Sequence, residues 1–230
     1  MEEIQEDDRG LFAASMSALD KFPVIMLQFP EVFALMAPPN KEGVEALNRA
    51  KKRLPEKYYS SLVGKDSSFF RLTGPLPYYL PEQNARLLLE GAIVRIRMGE
   101  ENQDSSLCCR GTHQGLLYRN GHLRQLFSAM EEAFLPLVNL DFYFGKSYSA
   151  ALCTSANISG KQESITDLNT ARDFGNNAGI PLLIRSDGIS SGKGSYPVLI
   201  LEDNHIAIER EGPGLESIIQ RFPENLFIRR

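Results

Sequence analysis

The chain has 230 residues, a formal net charge of −4, 43% hydrophobic residues and 23% charged residues, which is the composition of an ordinary globular protein. No run approaches the roughly 18 apolar residues of a membrane span, and the acidic start lacks the basic region of a signal peptide. We therefore expect a cytoplasmic protein without a membrane partner. Three cysteines without CxxC spacing and three scattered histidines predict neither a disulfide framework nor a metal site.

Charge is distributed unevenly along the chain. Residues 1–10 contain five acids, and we expect an acidic, disordered leader ahead of a single domain at 11–230. Between Lys41 and Leu72 there are eight Lys and Arg residues and four Asp and Glu residues. This local excess of positive charge suits a phosphate-bearing ligand. A solvated helix face would produce the same pattern.

The predicted elements mix helices and strands. In chain order they are a helix at 11–19, a strand at 23–29, a helix from Asn40 to Pro55, an edge strand within 69–80, a helix at 85–89, strands at 92–96 and 107–109, a helix at 123–134, a strand at 150–153, a helix at 166–174, strands at 182–184, 198–201 and 206–208, and a helix at 215–221. Asn40 and Thr166 are the predicted N-caps of their helices. The mixture of hairpin and helical connections predicts one α/β domain with a mixed sheet.

Lys51 interrupts the apolar face of the helix predicted at 40–55. Three apolar residues share that face by their spacing of three and four: Val44, Leu47 and Leu54. A lysine in this position either extends to the edge of the apolar surface or points into a ligand cleft, and the spacing leaves both open. Arg53 lies near the end of the helix, where a cation also interacts favourably with the helix dipole.

The segment Thr154-Ser155-Ala156-Asn157-Ile158-Ser159-Gly160 follows a predicted strand of small residues. Its hydroxyls, its amide and its backbone N–H groups suit phosphate or carboxylate oxygens. A turn that only closes a loop is the alternative. The segment lacks the glycines of a P-loop or a Rossmann turn, and the chain has no Gly-x-Ser-x-Gly motif. Chemistry here would rest on positioning and charge stabilisation instead of a covalent intermediate.

The same segment resembles the Thr-Ser-Ala-Asn-x-Ser-Gly signature of the YrdC-like family, which comprises the threonylcarbamoyl-AMP synthases and their YciO relatives. Shorter elements occur in the order expected for that family. Lys51-Lys52-Arg53 is similar to its Lys-x-Arg element, and Gly74-Pro75 to its Pro-Gly-Pro-x-Thr segment. Gly194-Ser195 is similar to its Gly-x-Ser-Thr-Val element, and Arg210-Glu211-Gly212 to its closing Arg-x-Gly. The resemblance covers about residues 22–214.

The resemblance implies a twisted, mixed-sheet α/β sandwich with a concave basic cleft. It implies a nucleotidyltransferase that joins threonine, bicarbonate and ATP, accompanied by magnesium, into threonylcarbamoyl-AMP and pyrophosphate for the modification of a tRNA adenosine. The residues that would carry catalysis are Lys51, Arg53, Ser155 and Asn157. Those that would bind the nucleotide are Thr154, Ser195, Arg210 and Arg110.

The chain departs from the family pattern on the amino-acid side. Pro30-Glu31-Val32-Phe33-Ala34-Leu35 stands where the family has Pro-Thr-Asp-Thr-Val-Tyr-Gly-Leu, so two positions and both threonine hydroxyls are missing, and Glu31 is the candidate residue of the substrate pocket. A glutamate there would repel a substrate carboxylate or meet its amine. Pro77 replaces a threonine, Tyr196-Pro197 replaces another, and Arg110-Gly111-Thr112 lacks the proline of Arg-x-Pro.

Three functions follow from this pattern. The first is an enzyme of the synthase type, with threonine or another acid as its second substrate. The second is a non-catalytic paralogue that binds double-stranded RNA or a nucleotide. The third is a protein whose fold persists and whose site is inactive.

Overall fold

The computed structural model describes residues 1–52, 58–98, 103–105, 107–157, 164–186, 194–223 and 225–229. Its strands are β1 (Glu2–Gln5), β2 (Ile25–Gln28), β3 (Phe33–Ala37), β4 (Ser60–Leu62), β5 (Ala92–Arg97), β6 (Thr112–Leu117), β7 (Leu152–Ser155), β8 (Leu182–Arg185), β9 (Val198–Leu201), β10 (Ile206–Arg210) and β11 (Phe227–Arg229). Its α-helices are α1 (Leu11–Lys21), α2 (Lys41–Lys51), α3 (Asp66–Phe70), α4 (Glu82–Leu89), α5 (His122–Phe134), α6 (Leu168–Asn177) and α7 (Leu215–Ile219). Two short 3-10 helices follow α5, at Leu135–Leu137 and Leu140–Tyr143.

The described strands form one mixed sheet in the order β1-β8-β2-β3-β7-β4-β6-β5-β9-β10-β11. Antiparallel pairs, such as β3 with β7 and β5 with β6, alternate with parallel pairs, such as β4 with β6 and β5 with β9. Successive side chains of a strand point to opposite faces, so the sheet carries two hydrophobic layers. This architecture confirms the predicted mixed-sheet α/β fold.

The helices divide between the two faces of the sheet. Helices α1 and α5 cover one face, where Leu19 and Phe127 pack against Ile25 and Leu27 of β2. We call this face A. The other face, face B, is covered by α2, α3, α4, α6 and α7, and it holds the larger cluster of buried side chains. Met26, the residue between Ile25 and Leu27, belongs to the face B cluster, as the alternation of a strand requires.

The leader is not disordered where the structure describes it. Glu2–Gln5 form β1, which pairs in parallel with β8, and Glu3 binds Arg172 and Arg185. The prediction of a disordered segment at 1–10 is therefore wrong for these residues. The charged side chains that suggested disorder lie along a sheet edge, and the backbone is held by pairing with a distant strand.

Several other element predictions also differ from the structure. Residues 71–81 form turns instead of an edge strand, and the predicted strand at 107–109 is reduced to a single bridge between Cys109 and Thr112. Helix α6 begins at Leu168, two residues after the start of the predicted range, and its cap is shifted by one, because Asp167 and not Thr166 accepts the capping hydrogen bond, from the Thr170 N–H at 2.9 Å. Helix α3 and five strands were not predicted, namely β1, β3, β4, β6 and β11. In the described part of the chain, no helix is long and apolar enough to cross a membrane.

Candidate functional site

Lys51 is the last residue of α2. Its position is defined by the cap that starts this helix and by the turn that ends it. The Asn40 side chain caps the start by accepting a hydrogen bond from the Gly43 N–H at 2.8 Å, as predicted. The helix ends where Lys52 adopts a left-handed conformation, with φ of 47°. Lys51 itself is only 2% exposed, so its ammonium group lies inside the protein and does not extend to solvent.

The Lys51 ammonium binds the end of β7. Its Nζ donates to the Ser155 carbonyl oxygen and, at 2.6 Å, to Asn157 Oδ1. Asn157 Oδ1 also accepts from Ser155 Oγ at 3.1 Å. Since both donors approach the oxygen, the amide nitrogen of Asn157 faces away from Lys51. The structure thus brings three of the predicted catalytic residues into one hydrogen-bonded group, whereas Arg53 lies outside the described residues.

Neighbouring strands hold this group in place. Ser155 pairs with Ala34 of β3, and Thr154 pairs with Leu35. Beyond the strand, the Ala156 N–H donates to the Phe33 carbonyl at 2.7 Å, and the Ile165 N–H donates to the Ala156 carbonyl at 3.0 Å. The small residues of β7 therefore do more than close a loop, because they fix the backbone that carries Ser155 and Asn157.

The segment Gly194–Pro197 connects Glu31 with Arg210. The Gly194 N–H donates to the Glu31 carbonyl at 3.2 Å, and Arg210 Nη2 donates to the Tyr196 carbonyl at 2.8 Å. Ser195 lies between these two contacts in the chain. Glu31 is three residues before Ala34, the partner of Ser155, so the segment lies near the β7 group. Glu31, Ser195 and Arg210 are thus assembled on one connected stretch.

Tyr196 fills part of face A beside this stretch. Its ring packs edge-on against Phe29 and Tyr118, with centroids 6.0 Å and 6.5 Å away. Burial raises the pKa of Tyr196, and the neighbouring Tyr118 and Glu31 raise it further, so the phenol stays neutral. The residue that replaces the expected threonine is consequently an aromatic packing residue near the carboxylate of Glu31.

Arg110 lies farther from the β7 group. It occupies the turn before β6, with φ of 49°, and its N–H donates to Asp104 Oδ1 at 2.6 Å. In the sheet, β6 is two strands away from β7. Arg110 therefore lies about two strand spacings away from β7, the strand that carries Ser155.

An open pocket of about 1000 Å³ lies between α2 and α6, and Asn157 contributes to its wall. Cations of α2 line one side, and acids of α6 and its cap line the other. The residues that contribute charge are Arg49, Lys52, Asp167 and Asp173. The pocket lies on the same side of the sheet as α2, so Asn157 connects it with the Lys51 group.

A polar row crosses face A from β4 to β5, and sequence reasoning missed it. Gln114 Nε2 donates to Ser60 Oγ at 2.7 Å, and Arg95 Nη2 donates to Gln114 Oε1 at 3.1 Å. Ser60 is the register partner of Cys153 in β7, two residues before Ser155. The alternation Ala-Ile-Val-Arg-Ile-Arg in 92–97 is the signal that places Arg95 and Arg97 on one face of a strand.

A buried polar pair lies behind this row, on face B. His113 Nδ1 donates to the Leu107 carbonyl at 3.0 Å, because a carbonyl only accepts, and Nε2 then accepts from the Ser61 hydroxyl at 2.8 Å. Burial lowers the pKa of His113 to about 4, so the imidazole is neutral at physiological pH. The pair has the arrangement of a nucleophile and its base, but both residues are at most 1% exposed, which excludes substrate contact in this conformation.

Comparison with solved structures decides the fold. YciO of E. coli superimposes with a TM-score of 0.64 and 17% identity, over 96% of this chain and 98% of YciO. Sua5 of P. abyssi, in complex with L-threonine, superimposes with a TM-score of 0.63 and 18% identity, over 98% of this chain and 62% of Sua5. HypF in its phosphate- and nucleotide-bound form gives a TM-score of 0.63 and 15% identity, over 88% of this chain and 29% of HypF.

The chain has the YciO/Sua5 fold. It matches YciO over nearly the whole length of both chains, whereas it covers less than two thirds of Sua5 and less than a third of HypF. No protein-family model matches the sequence. No curated protein matches it either. The divergence is thus large in sequence and small in architecture.

Magnesium is the metal that the sequence resemblance implies. Among the described residues, no group of three His, Cys, Asp or Glu side chains could hold a metal ion. Magnesium usually binds through one or two carboxylates together with substrate phosphates and water. It would therefore arrive on the phosphates of ATP, with Glu31 as the nearby carboxylate and Lys51 and Arg210 as the cations that offset phosphate charge.

Proposed function

We propose that this protein binds a nucleotide and a small acid near the end of β7 and joins them as a threonylcarbamoyl-AMP synthase does. The observation that carries the proposal is the Lys51 ammonium, which is buried and fixed on Ser155 and Asn157 at a strand end. The likeness in fold to a Sua5 bound to L-threonine and to a nucleotide-bound HypF supports it.

The proposed reaction has two balanced steps. The amine of the amino acid adds to bicarbonate and releases water, which gives a carbamate. A carbamate oxygen then attacks the α-phosphorus of ATP, so that a new O–P bond forms while the bond to the β-phosphate oxygen breaks and pyrophosphate leaves. Ser155 and Asn157 would orient the acid, and the buried Lys51 would hold these two residues in place and stabilise nearby negative charge without touching the substrate. Catalysis of this kind depends on position and charge.

Glu31 bears on the identity of the acid. Its backbone carbonyl accepts from the Gly194 N–H at 3.2 Å, so Glu31 lies beside the segment that carries Ser195. A carboxylate favours a ligand with an amine or another cationic group on that side. The proposed acid substrate is therefore an amino acid that presents its amine towards Glu31, threonine being the first to test.

The test is pyrophosphate release with ATP, magnesium, bicarbonate and each of the twenty amino acids in turn. We expect release with one amino acid or a few, and loss of at least 100-fold in the rate for Lys51→Ala, because removing a preorganised charge commonly costs about 10²–10³. Lys41→Ala is the matched control, since Lys41 is exposed at the start of the same helix. No release with any amino acid would overturn the proposal.

Binding of double-stranded RNA is the second candidate. Arg97 is exposed at the end of β5 and pairs with Thr112, and Arg110 is exposed in the turn two residues before Thr112. Two exposed arginines close together at one end of β5 suit a phosphate backbone. Fluorescence anisotropy with a 16-base-pair duplex should then show affinity that falls steeply with salt, and Arg97→Gln with Arg110→Gln should flatten that slope. Affinity independent of salt, or absent at low salt, would exclude this candidate.

A further inference from the structure

The open pocket between α2 and α6 extends along the whole of α6, and we call it the α6 groove. The residues that α6 and its caps contribute are spaced by three or four, so they lie on one face of the helix. They are Asp167, Thr170, Asp173, Phe174, Asn177 and Ala178. With 10 residues, α6 is about 15 Å long. An extended chain rises about 3.3 Å per residue, so the groove has the length of about four to five such residues.

The α6 groove has an apolar floor between exposed polar rims. Ala50, Ile165 and Phe174 are apolar and half-buried. Ser164 and Asn177 add a hydroxyl and an amide, which can bond to a peptide backbone. With a volume of about 1000 Å³, the groove lies at the upper end of the range of about 300–1,000 Å³ for ligand pockets. It therefore suits a ligand of several residues that has an apolar group and backbone amides.

The two rims carry opposite charges that do not neutralise each other. Arg49 and Lys52 lie on the α2 rim, and Asp167 and Asp173 lie on the α6 rim. All four residues are exposed, and within the ranges that the structure describes none of them forms an ion pair. Hydrogen bonds from Thr170 lower the pKa of Asp167, so its carboxylate stays charged. The groove thus presents positive charge on one side and negative charge on the other.

This charge arrangement limits the ligand. A polyanion such as a nucleic acid would be repelled by the α6 rim, and a polycation would be repelled by the α2 rim. A zwitterionic chain avoids both repulsions when its cations face Asp167 and Asp173 and its anions face Arg49 and Lys52. In an extended peptide, successive side chains point to opposite sides. Basic residues that alternate with acidic residues therefore place each sign of charge on the rim that attracts it.

We propose that the α6 groove binds an extended segment of a partner protein, in which basic and acidic residues alternate around an apolar residue. The apolar residue contacts the floor, and the charged residues contact the two rims. Because the groove is open to solvent, the partner chain can continue beyond it at either end. The four charged residues of the rims are not among those that the proposed nucleotide chemistry uses, so this site is independent of that chemistry.

The test compares two peptides of the same composition, with acetylated and amidated ends, by isothermal titration at low salt. Lys-Glu-Phe-Glu-Lys puts both cations on one side of an extended chain and both anions on the other, whereas Lys-Lys-Phe-Glu-Glu mixes the signs on each side. We expect the first peptide to bind at least about 3-fold more tightly. It should lose this advantage at high salt, because the attraction between exposed charges is modest and is screened.

A charge reversal on the α6 rim provides the matched comparison. In Asp173→Lys, we expect Lys-Glu-Phe-Glu-Lys to bind at least about 3-fold more weakly than it binds the wild type, and Glu-Glu-Phe-Glu-Glu to bind more tightly, because this rim has exchanged an anion for a cation. Asp203→Lys reverses an exposed charge between β9 and β10, and this control should leave both affinities unchanged. Both positions are exposed, so both variants should keep the wild-type unfolding temperature.

Each other outcome overturns the proposal. Equal affinity for the two peptides of the same composition would show that the order of charges is not recognised. Equal behaviour of Asp173→Lys and Asp203→Lys would show that the peptides bind elsewhere or only through net charge. Binding that requires free peptide ends would make the ligand a free peptide instead of a partner segment. No binding of Lys-Glu-Phe-Glu-Lys to the wild-type protein would show that the groove holds only solvent.

Discussion

Lys51 shows how a single misplaced residue type can indicate a site. A lysine on an apolar helix face costs free energy unless its charge meets partners, and here the Ser155 carbonyl and Asn157 Oδ1 accept its protons. The position of Lys51 on the helix face was predictable from spacing. Its partners were not, because they come from a strand about one hundred residues away in the chain, and local periodicity does not encode such a pairing.

The first prediction concerns the stability that Lys51 contributes. Lys51→Met should lower the free energy of unfolding by about 1–3 kcal/mol, because the partly buried Ser155 carbonyl loses its donor. Urea denaturation measures the change. Lys52→Met, an exposed control next to it, should stay within about 0.5 kcal/mol of the wild type. Equal effects of the two substitutions would contradict the structural role of Lys51.

The second prediction concerns His113 and pH. The pKa of His113 is about 4 in the folded protein, below the ordinary 6.5, because burial disfavours the charged ring. Between those values the unfolded chain binds a proton that the folded protein does not, so the contribution to stability is complete above pH 6.5 and is lost as the pH falls. The full loss is about 3 kcal/mol.

This contribution is measured as the difference in pH dependence between the wild type and His113→Gln. Stability of the wild type should fall more steeply between pH 6.5 and 4 than that of the variant. His122→Gln, which alters an exposed histidine at the start of α5, should follow the wild-type curve. Identical slopes for wild type and His113→Gln would show that folding does not change the pKa of His113.

At the scale of elements, strong local signals predicted best. The Asn40 cap, the long amphipathic helix α5 and the β9–β10 hairpin are encoded by neighbouring residues, and the structure confirms them. Strands β3 and β6 were missed for a physical reason. Phe-Ala-Leu-Met-Ala has no alternation because β3 is buried on both faces, and Thr-His-Gln-Gly-Leu-Leu combines a buried histidine with a glycine.

The third prediction concerns the contact between β10 and the segment Gly194–Pro197. A Cβ atom at Gly212 would lie 2.6 Å from both the Pro197 nitrogen and the Ser195 carbonyl oxygen, which are backbone atoms. Gly212→Ala should therefore move the segment, lower stability by about 1–3 kcal/mol and weaken nucleotide binding. Thermal unfolding with and without ATP measures both effects.

Glu211→Ala is the control for this change. Glu211 precedes Gly212 and makes an exposed ion pair with Arg229 at 3.3 Å, which contributes little. We expect wild-type unfolding and binding from this variant. If Gly212→Ala behaves in the same way, then Ser195 is not held by this contact.

At the scale of the whole molecule, the mixed sheet places charged, short strands at its ends. Strand β1 is exposed at three of its four positions, yet it covers the edge of β8, whose Leu182, Leu183 and Ile184 are buried. The acidic composition of residues 1–10 predicted a disordered leader exposed to solvent. The leader instead shields an apolar edge, and only the register of a distant strand could have revealed that.

The fourth prediction follows from this shielding. Deleting residues 1–8 should lower the unfolding temperature and promote aggregation, because the backbone edge of an apolar strand becomes available to other chains. Size-exclusion chromatography with light scattering detects the aggregates. Glu2→Gln, which keeps the strand and changes only an exposed charge, should remain monodisperse. A monodisperse deletion variant of unchanged stability would show that β1 is dispensable.

The pairing of β1 with β8 also determines how late during synthesis β1 can be paired. Glu2 meets Leu182, so about 180 residues must leave the ribosome before β1 finds its partner. At about 5–20 residues per second, β1 waits roughly 10–40 s while the intervening strands appear. Its acidic side chains discourage premature association during that interval. The same charges that resemble a disordered leader thus keep β1 available until β8 has been synthesised.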